Sequence, residues 1–192
     1  YLIHWPVAFK PGVLFPRRGE DYIALDEQAI GLTWKALEDC VAQGRARNIG
    51  VCNFSVRKLD ALCRQASIRP AMNQIELHPY LQQRAMLEYC RENGILVTAY
   101  SPLGSGDRPA AMKKTDEPTL LDNPVIQRVA TKHGAAPAQV LLAWGLGRST
   151  VVIPKSTHPE RLRQNLAADQ LRLDAQDRAE ITTDTRFGCA SW

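Results

Sequence analysis

Apolar residues along the chain gather into short continuous runs, separated by stretches with helical spacing. The runs cover residues 1–6, 48–54, 72–77, 95–100 and 151–154, and their β-branched and aromatic content predicts five strands. Between them the period changes. From about Thr33, a helix places Trp34, Leu37 and Val41 on one face, with Gly44 as its stop. Ser55 caps a second helix that carries Val56, Leu59, Leu62 and Cys63. A third spans residues 85–92 and ends at Asn93-Gly94. Asn123-Pro124 opens a fourth with Val125, Ile126, Val129 and Ala130 inward, stopped at His133-Gly134. Pro137 opens a fifth, mostly apolar, running to about Arg148. Two more start after Thr157 and near Asp174. Residues 7–30 and 107–122 read as long loops, the kind that carry function in a compact domain, and the tail from Phe187 reads as irregular.

Strand followed by helix, repeated along the chain, implies parallel strands joined by right-handed crossovers. Continuous rather than alternating apolar runs fit strands covered on both faces. Two architectures satisfy this: an open doubly wound α/β sheet, or part of a (β/α)8 barrel. Either gathers ligands at the C-terminal ends of its strands. The polar residues stand there: His4, Asn53, Gln74 with Glu76, Tyr100 with Ser101, and Lys155 with Ser156.

Composition narrows the class. The 192 residues suffice for one domain with a substantial core, and 45% hydrophobic with 23% charged residues is a globular balance. A net charge of +4 suits a small anionic ligand, while the absence of a dense basic run argues against a nucleic-acid partner. No apolar run is long enough to span a bilayer and no signal-peptide pattern occurs, so no membrane partner is expected. Five scattered cysteines (Cys40, Cys52, Cys63, Cys90, Cys189) without C-x-x-C spacing predict reduced thiols, a cytoplasmic setting and no metal site, with Cys189 the most exposed. The chain opens directly in an apolar strand, and the expectation is of an N-terminal part that precedes it.

The stretch with the most chemistry is residues 151–161. A strand stops at Pro154, and a short turn with Lys155 and Ser156 leads into a helix. Thr157 as N-cap and Glu160 three residues later read as a capping box, with Pro159 in the first turn. A helix start beside Lys155 and Arg161 reads as an anion site, most simply for phosphate, or as an ordinary strand-to-helix turn with solvated charges. His4 suits proton transfer or a hydrogen bond to a substrate oxygen, unless it is structural. Tyr100 offers a ring face to a flat heterocycle or packs as an aromatic at the top of its strand. The Gly-rich stretch 101–106 allows close backbone approach to phosphate or is a plain loop. Asn53 and Gln74 suit an amide ligand or cap loops. His78 reads as a strand terminator, His133 as a helix C-terminal residue and His158 as an exposed one. No Gly-rich dinucleotide fingerprint, P-loop, H-E-x-x-H or G-x-S-x-G is present.

Five motifs together resemble the aldo-keto reductase superfamily: Leu2-Ile3-His4-Trp5-Pro6, Ile49-Gly50-Val51-Cys52-Asn53-Phe54, Asn73-Gln74-Ile75-Glu76-Leu77-His78-Pro79, Ala99-Tyr100-Ser101-Pro102-Leu103-Gly104-Ser105 and Ile153-Pro154-Lys155-Ser156. The resemblance favours the (β/α)8 TIM barrel, of which residues 1–192 would hold strands four to eight. It implies reduction of aldehydes and ketones with NADPH. His4 matches the catalytic His that orients the carbonyl, and Trp5 a substrate-pocket aromatic. Asn53 and Gln74 match the nicotinamide carboxamide ligands, and Tyr100 the ring stacked on the nicotinamide. Ser101, Leu103 and Ser105 match the pyrophosphate loop. Lys155, Ser156, Thr157 and Arg161 match the cradle of the adenosine 2′-phosphate, and Asn165 an adenine contact. Cys52 stands where the family usually has Ser, and Gln164 where many members have Glu. The family's catalytic Tyr, Asp and Lys lie on earlier strands and have no counterpart among these residues. The resemblance therefore also leaves room for a non-catalytic nucleotide-binding or regulatory module.

Overall fold

The computed structural model describes residues 1–23, 27–106 and 119–183. Cys189, the tail from Phe187 and most of the loop 107–122 lie outside them. The chain divides into two compact units, Tyr1–Ile75 with Arg84–Val97, and Glu76–Gln83 with the described part of Thr98–Trp192.

In the first unit, β1 (Leu2–Ile3), β4 (Gly50–Cys52) and β5 (Met72–Glu76) are neighbours in that order. β1 pairs parallel with β4, Leu2 opposite Gly50, and β4 pairs parallel with β5, Val51 opposite Asn73. The Leu96 N–H donates to Ala71 O at 3.0 Å, which sets the start of β6 (Leu96–Tyr100) beside the entry to β5. Gly50 permits this spacing, since a Cβ there would meet Met72 O at 2.6 Å. Helices α1 (Glu27–Ala42), α2 (Val56–Gln65) and α3 (Arg84–Glu92) follow the strands. Trp34, Val51, Phe54, Leu59, Leu62 and Ile75 are buried in this unit, each worth about 1.5–3 kcal/mol of apolar burial. Ser55 Oγ accepts the Lys58 N–H at 3.3 Å and caps α2 as its sequence predicts.

Three expectations need correction here. Residues 7–30 are not one loop: β2 (Ala8–Phe9) and β3 (Tyr22–Ile23) pair antiparallel, Ala8 opposite Ile23. Asp21 organises this hairpin, accepting the Arg17 and Arg18 N–H groups at 2.6 and 2.9 Å. Helix α1 begins at Glu27, not near Thr33. β5 alternates rather than running apolar throughout, with Asn73 fully buried and its Nδ2 donating to Phe54 O at 3.1 Å.

The second unit holds the end of β6, then α4 (Pro124–His133), α5 (Pro137–Leu146), β7 (Thr150–Val152), α6 (Pro159–Ala167) and α7 (Ala175–Thr183). Leu77 N–H reaches Tyr100 O at 3.4 Å, and Ile153 N–H reaches Ala99 O at 3.2 Å. Residues 98–100 thus run between the chain leaving β5 and the end of β7. α5 is apolar all round and is the core of this unit, with residues 140–145 all buried. α4 is punctuated as expected: Asn123 Oδ1 accepts the Val125 and Ile126 N–H groups at 2.8 and 3.2 Å, and Gly134 closes it at φ 58°.

The capping box at Thr157 does not form. Ser156 Oγ instead accepts the His158 N–H at 3.1 Å, and α6 starts one residue later with His158 as N-cap and no side-chain cap bond. The Ser156 hydroxyl thus closes a local turn just before the helix rather than capping it. No described helix is long and apolar enough to cross a membrane.

Candidate functional site

In the first unit the strand ends bring His4, Asn53 and Gln74 together. Asn53 adopts a left-handed backbone, φ 60°, which Asn tolerates better than most residues. That turn lets its N–H donate to Gln74 O at 2.9 Å and its Nδ2 to His4 O at 3.0 Å. The His4 side chain is exposed, with the half-exposed Trp5 ring 6.0 Å away and tilted by 49°. Cys52 is buried at the end of β4; burial pushes its thiol up, and a hydrogen bond with the Gln74 backbone offsets this only in part.

In the second unit an open groove of about 620 Å³ is lined by residues 101–106, 119–122 and 153–155, together with His78, Tyr80 and Arg161. The turn after β6 supplies part of its lining. Ser101 has φ 48°, a strained value for a residue with a Cβ, and Gly104 has φ 76°. Gly104 N–H closes the turn on Ser101 O at 2.9 Å, and the Ser105 and Ser101 hydroxyls meet at 2.9 Å. A Cβ on Gly104 would press on Leu120 Cδ1 at 3.0 Å, so glycine serves the backbone angle and the packing together.

Lys155, on the turn after β7, and Arg161, in the first turn of α6, bring two cations to this groove beside a helix N-terminus. Among the described lining residues, Asp122 is the one carboxylate. An Arg fork, an ammonium and free helical N–H groups suit a phosphate. Ser101, Leu103, Ser105, Lys155 and Arg161 line one groove. Tyr100, Ser156, Thr157, Gln164 and Asn165 do not line it, and Ser156 spends its hydroxyl on the local turn.

Two groove residues, His78 and Tyr80, are not marked by any motif in the sequence. His78 is 7% exposed, with Nε2 at 3.2 Å from Glu76 Oε1, and its ring stands edge-on to Tyr80. Tyr80 Oη accepts from Asn123 Nδ2 at 3.0 Å. The chain after β5 folds back, His78 and Leu81 exchanging backbone hydrogen bonds at 3.3 and 2.9 Å, and no local motif announces that return.

The Aldo/keto reductase family model matches residues 1–183. This chain belongs to the aldo/keto reductase family. Its parallel strands with alternating helices are those of a partial (β/α) barrel of that family. It is 51% identical to Aldo/keto reductase slr0942 of Synechocystis sp. over 181 residues, 94% of this chain and 55% of the relative. It is 46% identical to human Aldo-keto reductase family 1 member A1 over 167 residues, 86% of this chain and 51% of that protein. The chicken protein of the same name is 42% identical over 182 residues, 94% of this chain and 55% of its own length. The chain spans about half the length of these relatives.

Proposed function

We propose that these residues serve an NADPH-dependent reductase of aldehydes and ketones, a cytoplasmic enzyme acting on a small carbonyl substrate. One observation carries the reading: Lys155, Arg161 and the phosphate-permissive turn 101–106 line a single groove. The groove's charge and shape fit the phosphates of a dinucleotide, and Lys155 with Arg161 fit a 2′-phosphate that NADH lacks. Membership of the family supports the reaction class.

When bound, the reduced nicotinamide supplies the hydride. Asn53 and Gln74 would take its carboxamide, and Tyr100 its ring face. Ser101, Leu103 and Ser105 would hold the pyrophosphate; Lys155, Ser156, Thr157 and Arg161 the 2′-phosphate; Gln164 and Asn165 the adenine. With a thiol at Cys52, carboxamide binding rests more heavily on Asn53 and Gln74. The exposed His4 would orient the carbonyl oxygen, with Trp5 beside the substrate. The proton for that oxygen would come from a tyrosine that has no counterpart in residues 1–192, so these residues alone should bind cofactor without turnover. Free thiols at Cys40, Cys52, Cys63 and Cys90 agree with a reducing compartment.

The test is a fluorescence titration of the 192-residue chain with NADPH and NADH, followed by NADPH oxidation at 340 nm with 4-nitrobenzaldehyde. NADPH should bind at least about tenfold tighter than NADH, the size of one charge-assisted contact, with no oxidation above background. No NADPH binding would remove the cofactor assignment, and turnover would place the proton donor within this chain.

A further inference from the structure

We infer that Glu76, paired with His78, is a positioning residue that orients the serine hydroxyls of the groove turn toward one fixed arrangement. The inference deepens the reading of the groove as a dinucleotide phosphate site and rests on it. Glu76 Oε1 lies 3.2 Å from His78 Nε2 and 3.5 Å from Ser105 Oγ, which is itself 2.9 Å from Ser101 Oγ. A carboxylate only accepts, and each hydroxyl has one proton to give. One arrangement satisfies the three contacts named here together: Ser101 O–H to Ser105 Oγ, Ser105 O–H to Glu76, and His78 Nε2–H to the same oxygen. The chain therefore reads as a clasp across the turn, anchored on a carboxylate.

Several contacts hold the anchor itself. Glu76 and His78 side chains are 16% and 8% exposed. Gln83 Nε2 donates to Glu76 O at 3.2 Å. His78 Nδ1 is buried without a partner, so Glu76 carries the ring's one side-chain hydrogen bond among the described residues. What the clasp holds is costly to hold: Ser101 sits at φ 48°, and such backbone angles persist only where surrounding contacts over-determine them.

Electrostatics alone would argue for removing Glu76. A carboxylate behind a groove that carries Lys155 and Arg161 opposes an incoming phosphate. The two roles thus predict opposite signs. If Glu76 acted only through its charge, its loss would tighten phosphate binding; as the clasp, its loss loosens the turn and weakens binding.

The experiment compares Glu76→Ala and Glu76→Gln with the parent chain in two readouts. The first is amide hydrogen exchange of Gly104 and Gly106 in ligand-free protein; the second is the Kd for NADPH from fluorescence. Glu76→Ala should speed exchange by about 3–10-fold and raise Kd by a similar factor, the worth of one or two lost hydrogen bonds. Glu76→Gln keeps an acceptor and should stay within about threefold of the parent in both. If Glu76→Ala does not fold, Ser105→Ala cuts the same chain and should speed Gly104 exchange equally. Unchanged exchange, or tighter NADPH binding in Glu76→Ala, overturns the inference. If the parent chain fails to bind NADPH, the dinucleotide reading falls on its own, and exchange alone still decides the clasp.

Discussion

Replacing Asp177 should destabilise the second unit and abolish part of its acid sensitivity. Asp177 is 2% exposed at the start of α7. Its Oδ1 accepts from Lys132 Nζ at 2.7 Å, while Oδ2 accepts from His133 Nε2 at 2.7 Å and the Asp174 N–H at 3.0 Å. Asp174 returns a bond, its Oδ1 accepting the Asp177 N–H at 2.8 Å, so the pair forms the N-terminal box of α7 while Lys132 and His133 end α4. Burial alone would push this carboxyl up. The bonds from Lys132, His133 and Asp174 outweigh it and hold the group at about 2, against 3.8 unperturbed. At about 1.36 kcal/mol per pH unit, that difference corresponds to about 2.5 kcal/mol. Lys132 and Asp174 are about half exposed, so screening trims the expected value to about 1–2 kcal/mol. Because the folded value lies below the unfolded one, this stability is fully present above about pH 4 and is lost as pH falls toward 2. Urea unfolding, followed through Trp144, whose Nε1 lies 3.3 Å from Thr182 Oγ1 on α7, reads the change directly. Asp177→Asn should lose about 1–2 kcal/mol at pH 7 and show a flatter decline between pH 5 and 2.5. A loss under about 0.5 kcal/mol, or an acid limb as steep as the parent's, would refute the reasoning.

Asn123→Ala removes both the α4 cap and the bond to Tyr80 Oη, and should cost about 1–3 kcal/mol in urea unfolding; Asn123→Asp, which keeps the cap acceptor, should recover about half. Cys52 and Cys90 are buried, and burial pushes both thiols up, Cys90 to about 11. With Ellman's reagent at pH 8 these two should therefore react only on unfolding, as mass spectrometry of the labelled peptides would report.

Where the sequence was legible, the controlling chemistry was local. Asn123-Pro124 and Gly134 bracket α4 because cap, first-turn proline and left-handed glycine act within four residues of the helix ends. Ser55 does the same for α2. The hairpin at residues 8–23 was hidden because its order comes from Asp21 folding back on Arg17 and Arg18, not from apolar alternation. The start of α6 differs from the Thr157 capping box that the sequence suggests, because the Ser156 hydroxyl binds the His158 N–H and the helix begins at Pro159. In the site, Lys155, Arg161 and the 101–106 turn could be named from strand ends and glycines, and they line one groove. Tyr80 could not, because its place depends on Asn123 far along the chain, and His78 could not, because its place depends on the backbone return to Leu81, which no motif marks.

The central claim is that the Lys155–Arg161 groove selects a 2′-phosphorylated dinucleotide. The most direct measurement is the ratio of NADH to NADPH dissociation constants for the parent chain and for Arg161→Ala. The parent should favour NADPH, and the substitution should weaken NADPH by about 10–100-fold, the worth of a charge-assisted contact, while leaving NADH within about threefold. Equal weakening of both dinucleotides, or no preference in the parent, would contradict the account.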